Sequence, residues 1–378
     1  MKRIGIDARF YNEAGPGRYV KSIIQHLEKL DKDNKYFIFL RDAGMSDYSP
    51  QNPNFTKVGA HYKWYSFEEQ FLFLFKLIRW RLDLFYVPHF NIPVLYPGKI
   101  VTAIPDIIMH LYSTEKGTTL PKPYFKFKKL IYKLVVLWAV LRSKKVIVPS
   151  HETMEDFIRI YPYINRTKYI LAGEGVDPEL LQKNKLDPNQ VMNKYGINKP
   201  FLLYISSFYE HKNVPKLIES YEVLKNDYGY KGQLVLIGKN DKFAENIKAL
   251  IEEKNLSTNI IMPGMQNYVT DEETVALRKA AQAYVFPSLK EGFSLTPMEA
   301  QAFGLPAVVS DIPCHREIYR DSVLYFDPKN PKNIAHQINH LIANDNLKIE
   351  LINKGHDLIK KYDWNHSAEI TLGTFNKV

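Results

Sequence analysis

Cysteine and long apolar runs are both scarce in this sequence. Cys314 is the single cysteine among 378 residues, which excludes a disulfide framework and indicates a reducing compartment such as the cytoplasm. No apolar run reaches the roughly 18 residues that a membrane-spanning helix needs, and no signal-like region precedes the first predicted strand. We therefore expect a cytoplasmic protein that carries no transmembrane helix.

Acidic residues are missing from one long stretch of the first half. Residues 116–151, the basic stretch, contain nine Lys and Arg residues and no Asp or Glu, and five aromatic residues lie among the bases. This composition is typical of a helix lying on anionic lipid. Two other interpretations compete with lipid binding. The core of the stretch, residues 134–141, has no polar face, which favours a helix buried against a sheet. The basic flanks could be ordinary solvated surface or could bind nucleic acid. We expect the basic stretch to contact an anionic membrane surface peripherally from the cytoplasmic side, and we do not expect nucleic acid as a partner.

The excess positive charge belongs to the first half of the chain. Residues 1–172 hold 27 Lys and Arg against 15 Asp and Glu, whereas residues 173–378 hold 24 against 26. The formal net charge of +10 therefore arises before residue 173. Such an asymmetry indicates that the first half meets an anionic partner.

Apolar runs alternate with amphipathic stretches through both halves. Predicted strands are residues 2–9, 36–40, 84–87, 100–102, 145–148, 200–206, 233–238, 283–288 and 307–310. The alternation predicts parallel sheets with helices on both faces, and the length suits two such domains. We predict an α/β protein with two doubly wound domains, residues 1–172 and 173–360, and a helical tail over residues 361–378.

The most informative motif places two glutamates eight positions apart. Glu291 opens a Glu-Gly-Phe loop after the strand predicted at 283–288, and Glu299 begins the helix predicted at 299–304. A loop between a strand end and a helix start offers free N–H groups to an anion or to sugar hydroxyls. Eight helical residues would separate the two carboxylates by roughly 12 Å, so that one could hold a sugar and the other a ribose.

These residues resemble the retaining, family 4 glycosyltransferases of the GT-B fold, also called glycosyl transferases group 1. The shared elements, all in register, are Pro287 with Ser288, Glu291 to Phe293, Glu299, Gly304 with Pro306, and the strand 307–310. The resemblance implies two Rossmann-like domains facing across a cleft. The N-terminal one would bind the acceptor, the C-terminal one would bind the nucleotide sugar, and the tail helix would cross back to the first domain.

The same resemblance implies the reaction and its substrates. The enzyme would move a hexose-type sugar (mannose, glucose or GlcNAc-like) from a GDP or UDP sugar to a glycan or polyprenyl-linked acceptor, in surface polysaccharide or glycolipid synthesis. Retention would follow from front-face attack, in which the leaving phosphate takes the acceptor's proton. Cations and helix N-termini can stabilise that diphosphate, so we expect no metal and no bound cofactor.

Family roles fall on matching positions of the second half. Glu291 would contact the transferred sugar, Glu299 the ribose, and Lys212 the diphosphate. The family commonly has an Arg where this chain has Ser207, and Lys239 or Arg18 could supply that charge. The expected donor-binding residues are Gly17, Ser207, Lys212, Lys239, Glu291, Gly292, Phe293, Ser294, Leu295 and Glu299.

The first half departs from the family at one important place. Where the family commonly has His-Asp, this chain reads Pro105 and Asp106. Asp106 stays a catalytic candidate, together with Glu291 and Lys212. The missing imidazole could be replaced by His89, by His110 or by the backbone at Pro105. If nothing replaces it, the enzyme could be slow or inactive. We assign His89, His110 and Arg18 to the acceptor side or to structural support. Gly17, ahead of a predicted helix, could approach a phosphate or simply form a turn.

Two other functions remain open from the sequence. A nucleotide-sugar epimerase of the same fold would need acid and base groups on both sides of the sugar and would ignore acceptors. A catalytically weak sugar-nucleotide-binding protein would explain Pro105 and Ser207, although the two intact glutamates argue against it.

Overall fold

The computed structural model describes residues 1–13, 15–112, 121–183 and 185–378. Lys116, the first residue of the basic stretch, lies outside the described residues. The chain divides into two compact units. The first comprises the described residues of 1–111, 118–174 and 363–378, and the second those of 112–117 and 175–362.

A seven-stranded parallel sheet forms the centre of the first unit. Its strands are β1 (Arg3–Asp7), β2 (Lys35–Leu40), β3 (Phe55–Gly59), β4 (Leu84–Val87), β5 (Ile100–Ala103), β6 (Lys145–Val148) and β7 (Tyr169–Leu171), in the spatial order β3-β2-β1-β4-β5-β6-β7. Its helices are α1 (Pro16–Leu30), α2 (Asp42–Asp47), a π-helical turn (Glu69–Phe73) that continues into α3 (Leu74–Arg79), α4 (Ile108–Tyr112), α5 (Lys122–Arg142) and α6 (His151–Ile160). The strand order reverses between β1 and β4, where open α/β sheets bind their ligands.

The second unit repeats this architecture with six parallel strands. They are β8 (Phe201–Ile205), β9 (Gln233–Ile237), β10 (Ile260–Ile261), β11 (Ala283–Phe286), β12 (Ala307–Ser310) and β13 (Leu324–Phe326), in the order β10-β9-β8-β11-β12-β13. The helices are α7 (Pro178–Gln182), α8 (Pro188–Tyr195), α9 (Val214–Tyr228), α10 (Lys242–Glu253), α11 (Asp271–Ala280), α12 (Leu295–Ala302), α13 (Pro313–Tyr319), α14 (Pro331–Ile342) and α15 (Asp345–Ile359). Here the order reverses between β8 and β11. The predicted α/β class with two doubly wound sheets is confirmed.

The last helix, α16 (Trp364–Lys377), belongs to the first unit and packs on α1. Its Trp364 ring lies 5.6 Å from the ring of Tyr19, and its Phe375 ring lies 5.0 Å from that of Tyr86. The Lys2 ammonium donates to the Phe375 carbonyl at 2.8 Å. The end of the described chain is therefore part of the same core as its beginning.

Two predictions about helices were wrong in part. Helix α12 begins at Leu295, four residues before the predicted start at Glu299. In α5, Val136, Ala139 and Val140 are buried as predicted, but Leu134, Trp138 and Leu141 on the same apolar run are exposed. The reason is the helical period of 3.6 residues, which turns only one side of an uninterrupted apolar run toward the sheet.

No helix within the described ranges is both long and apolar enough to cross a membrane. The longest of them, α5 with 21 residues, is interrupted by lysines in its first half.

Candidate active site

Two loops meet where the second sheet reverses its strand order. After β8 the chain forms a short 3-10 turn, Glu210–Lys212, and Asn213 follows with a left-handed φ of 57°. The Asn213 side-chain amide donates to the Pro287 carbonyl at 3.1 Å, and the Leu289 amide donates to the His211 carbonyl at 2.7 Å. These bonds join the loop after β8 to the loop after β11, at the place where such sheets bind ligands.

Lys212 and Glu291 form a buried ion pair between these loops. The Lys212 ammonium lies 2.7 Å from Glu291 Oε1, and the two side chains are only 13% and 7% exposed. The Ser288 hydroxyl donates to the same carboxylate oxygen. Burial pushes the pKa of Glu291 upward, but the charge of Lys212 and the hydrogen bonds from Lys212 and Ser288 outweigh it and hold that pKa below its usual value. Glu291 is therefore a carboxylate at neutral pH and serves as the resting counter-ion of Lys212.

The neighbouring His211 does not add a second cation. Burial, followed by the charge of Lys212, lowers the pKa of His211 to about 4. The imidazole is therefore neutral at pH 7. Lys212 is the cation that a diphosphate would meet at this point of the loop.

Ser294 links the Glu291 loop to α12 through an unusual backbone conformation. Its φ of 79° lies in the left-handed region, which non-glycine residues rarely adopt. The Ser294 hydroxyl lies 3.1 Å from His315 Nε2, and His315 Nδ1 lies 2.9 Å from the Ser310 carbonyl. Because a carbonyl can only accept, Nδ1 carries the proton and Nε2 accepts from Ser294. The Tyr319 hydroxyl donates to the Ser294 carbonyl. The side chain and the carbonyl of Ser294 are therefore both bound by residues of α13.

His315 and Tyr319 are residues that the sequence reasoning missed. Both are fully buried, and burial lowers the pKa of His315 to about 4. No motif surrounds them, and their role depends on a contact with a residue 21 or more positions away.

In the loop 291–294, backbone N–H groups rather than all of the side chains are available to a ligand. Phe293 is 4% exposed and packs in the core, with its ring 5.4 Å from that of Tyr362. Gly292 is buried and Leu295 is half-buried at the first position of α12. The donor-binding assignment of Gly292, Phe293, Ser294 and Leu295 therefore concerns their N–H groups at the start of that helix.

Glu299 sits in a second buried ion pair, with Arg278 of α11. Arg278 Nη2 lies 2.5 Å from Glu299 Oε2, the side chains are 3% and 2% exposed, and Arg278 also donates to the Thr274 hydroxyl at 2.9 Å. Because α12 starts at Leu295, only four helical residues separate that start from Glu299, a rise of about 6 Å. The eight helical residues assumed between the two glutamates were wrong, since about half of them are loop. Arg278 was not anticipated from the sequence.

Ser207 and Lys239 follow neighbouring strands at the same sheet edge. The Ser206 amide donates to the Ile237 carbonyl at 3.0 Å, which brings the ends of β8 and β9 together. The Ser207 carbonyl accepts from the Tyr204 hydroxyl at 2.6 Å, and Lys239 is exposed. The structure thus places both residues near the sheet edge that carries Lys212. The buried ion pair at this edge is formed by Lys212 with Glu291.

Gly17 and Arg18 begin α1 in the first unit. The Gly17 amide already donates to the Glu13 carbonyl at 2.9 Å, and a Cβ at this position would lie 2.7 Å from the Tyr11 carbonyl oxygen. Close backbone packing is therefore sufficient to explain a glycine here. Arg18 is half-buried and has partners of its own.

Asp106 also belongs to the first unit. It lies between β5 and α4, half-buried, and its carboxylate accepts from the Ile108 amide at 2.9 Å. This bond fixes the start of α4.

The two candidate histidines of the first unit are both held by neighbours. His89 stacks between Phe10 at 4.6 Å and Phe90 at 4.0 Å, and His110 lies between the hydroxyls of Tyr132 and Tyr161 at 3.2 and 3.0 Å. Burial lowers the pKa of each to about 4, with nearby Lys133 and Lys129 contributing at His110. Neither imidazole carries charge at pH 7.

A polar cluster missed by the sequence reasoning lies at the carboxyl end of β1. Arg9 pairs with Asp7 at 2.7 Å and with Glu69 at 2.5 Å, and the side chains of all three are almost fully buried. The Asn91 amide also donates to Glu69, at 2.7 Å. Among the described residues, Arg9 Nη1 and the indole nitrogen of Trp64 find no hydrogen-bond partner. Buried donors of this kind are costly unless something binds them.

Aromatic rings adjoin this cluster. The Phe10 ring stacks on Trp64 at 4.2 Å and on His89 at 4.6 Å. Aromatic rings with a few convergent polar groups are typical of small-molecule sites. Phe10 follows β1 and His89 follows β4, where the strand order of the first sheet reverses.

Within the described part of the chain, no three His, Cys, Asp or Glu side chains converge as metal ligands would. Metal independence stays a prediction.

Comparisons with known proteins relate the chain to glycosyltransferases. The family model for glycosyl transferases group 1 matches residues 188–358. The chain is 23% identical to O-antigen chain mannosyltransferase B of Escherichia coli over 382 residues, covering 97% of this chain and 96% of that protein. It is 22% identical to O-antigen chain mannosyltransferase RfbU of Salmonella typhimurium over 243 residues, and that match spans 62% of the relative, somewhat less than two thirds of its length.

Solved structures share the fold over the whole chain. Sucrose-phosphate synthase from Thermosynechococcus elongatus matches with a TM-score of 0.73 at 17% identity, covering 100% of this chain and 98% of that one. Anabaena Alr3699/HepE in complex with UDP and glucose matches with a TM-score of 0.74 at 14% identity, covering 100% of both chains. At such identities the likeness concerns the fold alone. The chain has the GT-B fold, and its residues 188–358 form a glycosyltransferase domain of the glycosyl transferases group 1 family.

Proposed function

We propose that this chain is a retaining hexosyltransferase that uses a nucleotide-diphosphate sugar and a glycan or polyprenyl-linked acceptor in surface polysaccharide or glycolipid synthesis. The observation that carries this proposal is the buried cluster of Lys212, Glu291 and Ser288 at the strand-order reversal of the second sheet. The names of the two O-antigen mannosyltransferases favour mannose as the sugar.

Lys212 acts on the leaving group in this proposal. Donor binding brings diphosphate oxygens to the ammonium, which exchanges part of its contact with Glu291 for contact with the phosphates. As the bond between the anomeric carbon and the phosphate oxygen breaks, Lys212 and the N–H groups at the start of α12 stabilise the negative charge that develops. This charge stabilisation needs no metal ion.

Glu291 then binds the sugar. Once Lys212 has turned to the diphosphate, the Glu291 carboxylate accepts hydrogen bonds from hydroxyls of the transferred hexose. The acceptor oxygen attacks the anomeric carbon from the face that the phosphate leaves, and a phosphate oxygen takes the acceptor's proton. The new bond has the configuration of the old one, which is retention.

Glu299 and Arg278 form the ribose end of the donor site. A carboxylate can accept from two vicinal hydroxyls, and the ion pair with Arg278 holds the Glu299 carboxylate in one orientation. Arg278 is therefore a positioning residue in this proposal.

The first unit binds the acceptor. Arg9 Nη1 and Trp64 Nε1 are buried donors that suit hydroxyl or phosphate oxygens of an acceptor. Asp106 and His110 support this region. The protein works in the cytoplasm at the inner face of the membrane, with the basic stretch against anionic lipid.

A panel of radiolabelled nucleotide sugars, offered with and without membrane extract, tests the function. We expect transfer of label to a lipid-extractable or polymeric product, with GDP-mannose as the first donor to try, and retention at the anomeric carbon by NMR. Isomerisation of a nucleotide sugar without acceptor would instead identify an epimerase. Binding without either reaction would identify a sugar-nucleotide-binding protein.

The variant Lys212→Ala is the matched control for that panel. It removes the phosphate cation and should lower transfer by about 10²–10³-fold while the protein stays folded. Transfer at the wild-type rate by this variant would refute the assigned site.

A further inference from the structure

Exposed apolar side chains are concentrated in one part of the first unit. Of the 25 large apolar side chains that are exposed among the described residues, 17 lie within residues 65–141. This is about a fifth of the chain. Single exposed apolar residues need no explanation, but a concentration of this kind marks an interaction surface.

The π-helical turn and α3 are apolar on two sides. Phe73, Leu74 and Leu77 are buried, whereas Phe71, Leu72 and Phe75 are 53%, 55% and 66% exposed. A surface helix of a globular protein normally has a polar outer face, and a helix that is apolar all round is normally covered. Something outside the described chain is therefore needed to cover this face.

Helix α5 presents a second face of the same kind beside it. Phe127, Leu134 and Trp138 of α5 are exposed. On the buried side, Ala139 of α5 and Phe73 contribute to one core cluster. The two helical segments therefore cover the same core, and their outer faces point away from it.

Hydrogen bonds to one loop residue tie the two segments together. The Trp138 indole N–H donates to the Val94 carbonyl at 3.0 Å, and the Val94 amide donates to Gln70 Oε1 at 2.8 Å. Val94 is itself exposed. The outer faces of residues 67–78, Val94 and α5 are thus joined through Val94, and together we call them the apolar surface.

Positive charge accompanies the apolar surface. On α5, Lys126, Lys128 and Lys133 are exposed, and so is Arg79 at the end of α3. Glu68 is an exposed acid near this patch, and Glu69 is buried in its pair with Arg9. Apolar and aromatic side chains mixed with lysines suit the boundary between lipid headgroups and acyl chains.

We propose that the apolar surface docks on an anionic bilayer by inserting Phe71, Leu72, Phe75 and the exposed face of α5 between the lipids, while the flanking lysines contact the headgroups. The inference rests on the proposed function, in which the basic stretch contacts anionic lipid. It adds a second helical segment to that contact. It also makes insertion of apolar side chains, rather than charge alone, the basis of membrane binding. A second copy of this chain is the poorer occupant, because like-charged lysines would face one another across such an interface.

Vesicle co-sedimentation tests this inference. The probes are vesicles of phosphatidylglycerol with phosphatidylcholine, and of phosphatidylcholine alone, each at low and high salt. The test variant combines Phe71→Ser with Phe75→Ser. Its matched control combines Tyr268→Ser with Ile349→Ser, two exposed apolar residues of the second unit.

We expect the wild type and the control to bind the anionic vesicles and to keep a measurable part of that binding at high salt, since inserted rings are not screened. The test variant should bind about tenfold or more weakly, given the apolar area that two phenylalanines bury. A blue shift of tryptophan emission on binding, absent in Trp138→Phe, would report insertion of α5.

Several results would overturn the inference. These are no binding of the wild type to anionic vesicles, equal binding by the test variant, or complete loss of wild-type binding at high salt. A concentration-dependent dimer that only the test variant lacks, seen by light scattering, would assign the apolar surface to a second copy.

Failure of the proposed function is a separate outcome. Nucleotide-diphosphate binding, measured by calorimetry, should be the same in the wild type and the test variant. Vesicle binding without any sugar transfer would leave the docking surface in place and refute only the transferase assignment.

Discussion

The ion pair between Lys212 and Glu291 neutralises both groups at the point where a diphosphate would enter. The two variants of this pair should therefore affect binding in opposite directions. Lys212→Ala should lose affinity for free GDP or UDP and lower transfer by about 10²–10³-fold, the usual range for removing one donor to a developing anion. Glu291→Gln should bind free nucleotide diphosphate at least as well as the wild type, because Lys212 is released, yet transfer sugar poorly.

Titration calorimetry and initial rates on the same preparations check this prediction. Weaker nucleotide binding by Glu291→Gln would show that Glu291 does not compete with the diphosphate for Lys212. Lys212→Arg, which keeps the charge, is the control for the charge itself.

Glu299 should discriminate between nucleotides by their ribose hydroxyls. Glu299→Ala should weaken binding of a nucleotide diphosphate, since each hydrogen bond to the charged carboxylate contributes about 1.5–3 kcal/mol. The wild type should prefer the nucleotide over its 2′-deoxy analogue, and the variant should bind both alike. A variant that still discriminates between them would place the ribose elsewhere.

Protein stability in acid should depend on His315. Its pKa is about 4 in the folded chain and 6.5 is the ordinary value, so between these limits the unfolded state binds a proton that the folded state does not. Stability therefore falls as pH drops from 6.5 toward 4, by up to about 1.4 kcal/mol per pH unit for this one group. His315→Gln should lose less stability than the wild type between pH 7 and pH 5 in urea unfolding. An identical loss in both proteins would mean that His315 takes up its proton without cost.

The sequence predicted candidate site residues that belong to a local motif, and not those that are held by distant partners. Glu291, Lys212 and Glu299 were predicted because their neighbours in the chain match a family pattern. Arg278 meets Glu299 across 21 positions, and Arg9 meets Glu69 across 60. Such pairs are formed only by the folded chain, so composition and spacing carry no sign of them.

Among the elements, strands that are mostly apolar were predicted well, whereas the more polar β3 and the strands of two or three residues were missed. β4, β6 and β12 have the predicted bounds, because each is mostly apolar and almost entirely buried. β10 has only two residues and β13 only three, too few for a periodic signal. The start of α12 was missed because the preceding Ser294 adopts a left-handed backbone conformation. Serine rarely adopts that conformation, so the sequence does not predict it there.

Helix α5 carries both lysines and exposed apolar side chains. Reversing the charge of the lysines separates the contribution of charge to vesicle binding from that of the apolar side chains. Changing Lys126, Lys128 and Lys129 to Glu should abolish binding to anionic vesicles at low salt, since each position exchanges an attraction of about 1 kcal/mol for a repulsion. The difference from the wild type should shrink at high salt, where the Debye length falls below about 10 Å. Co-sedimentation of both proteins at two salt concentrations is the measurement, and equal binding would make these lysines ordinary surface.

At the scale of the whole molecule, independence of a metal ion is a prediction to test, and among the described residues no three potential metal ligands converge. With Lys212 and the N-terminus of α12 facing the diphosphate, transfer should continue after treatment with EDTA. Activity with and without the chelator, followed by addition of Mg²⁺ or Mn²⁺, decides this. A complete loss that either ion restores would show that the protein's own cations are insufficient.

The return of α16 to the first unit also has a consequence for synthesis on the ribosome. All strands of the second unit lie between residues 201 and 326, so they are translated before α16. The first unit must wait, since Trp364 and Phe375 complete the core around α1 and β4. Until then the side of α1 that packs on α16 stays uncovered, although most of the sheet of that unit was translated first. The half of the molecule that is made first is therefore the half that finishes folding last.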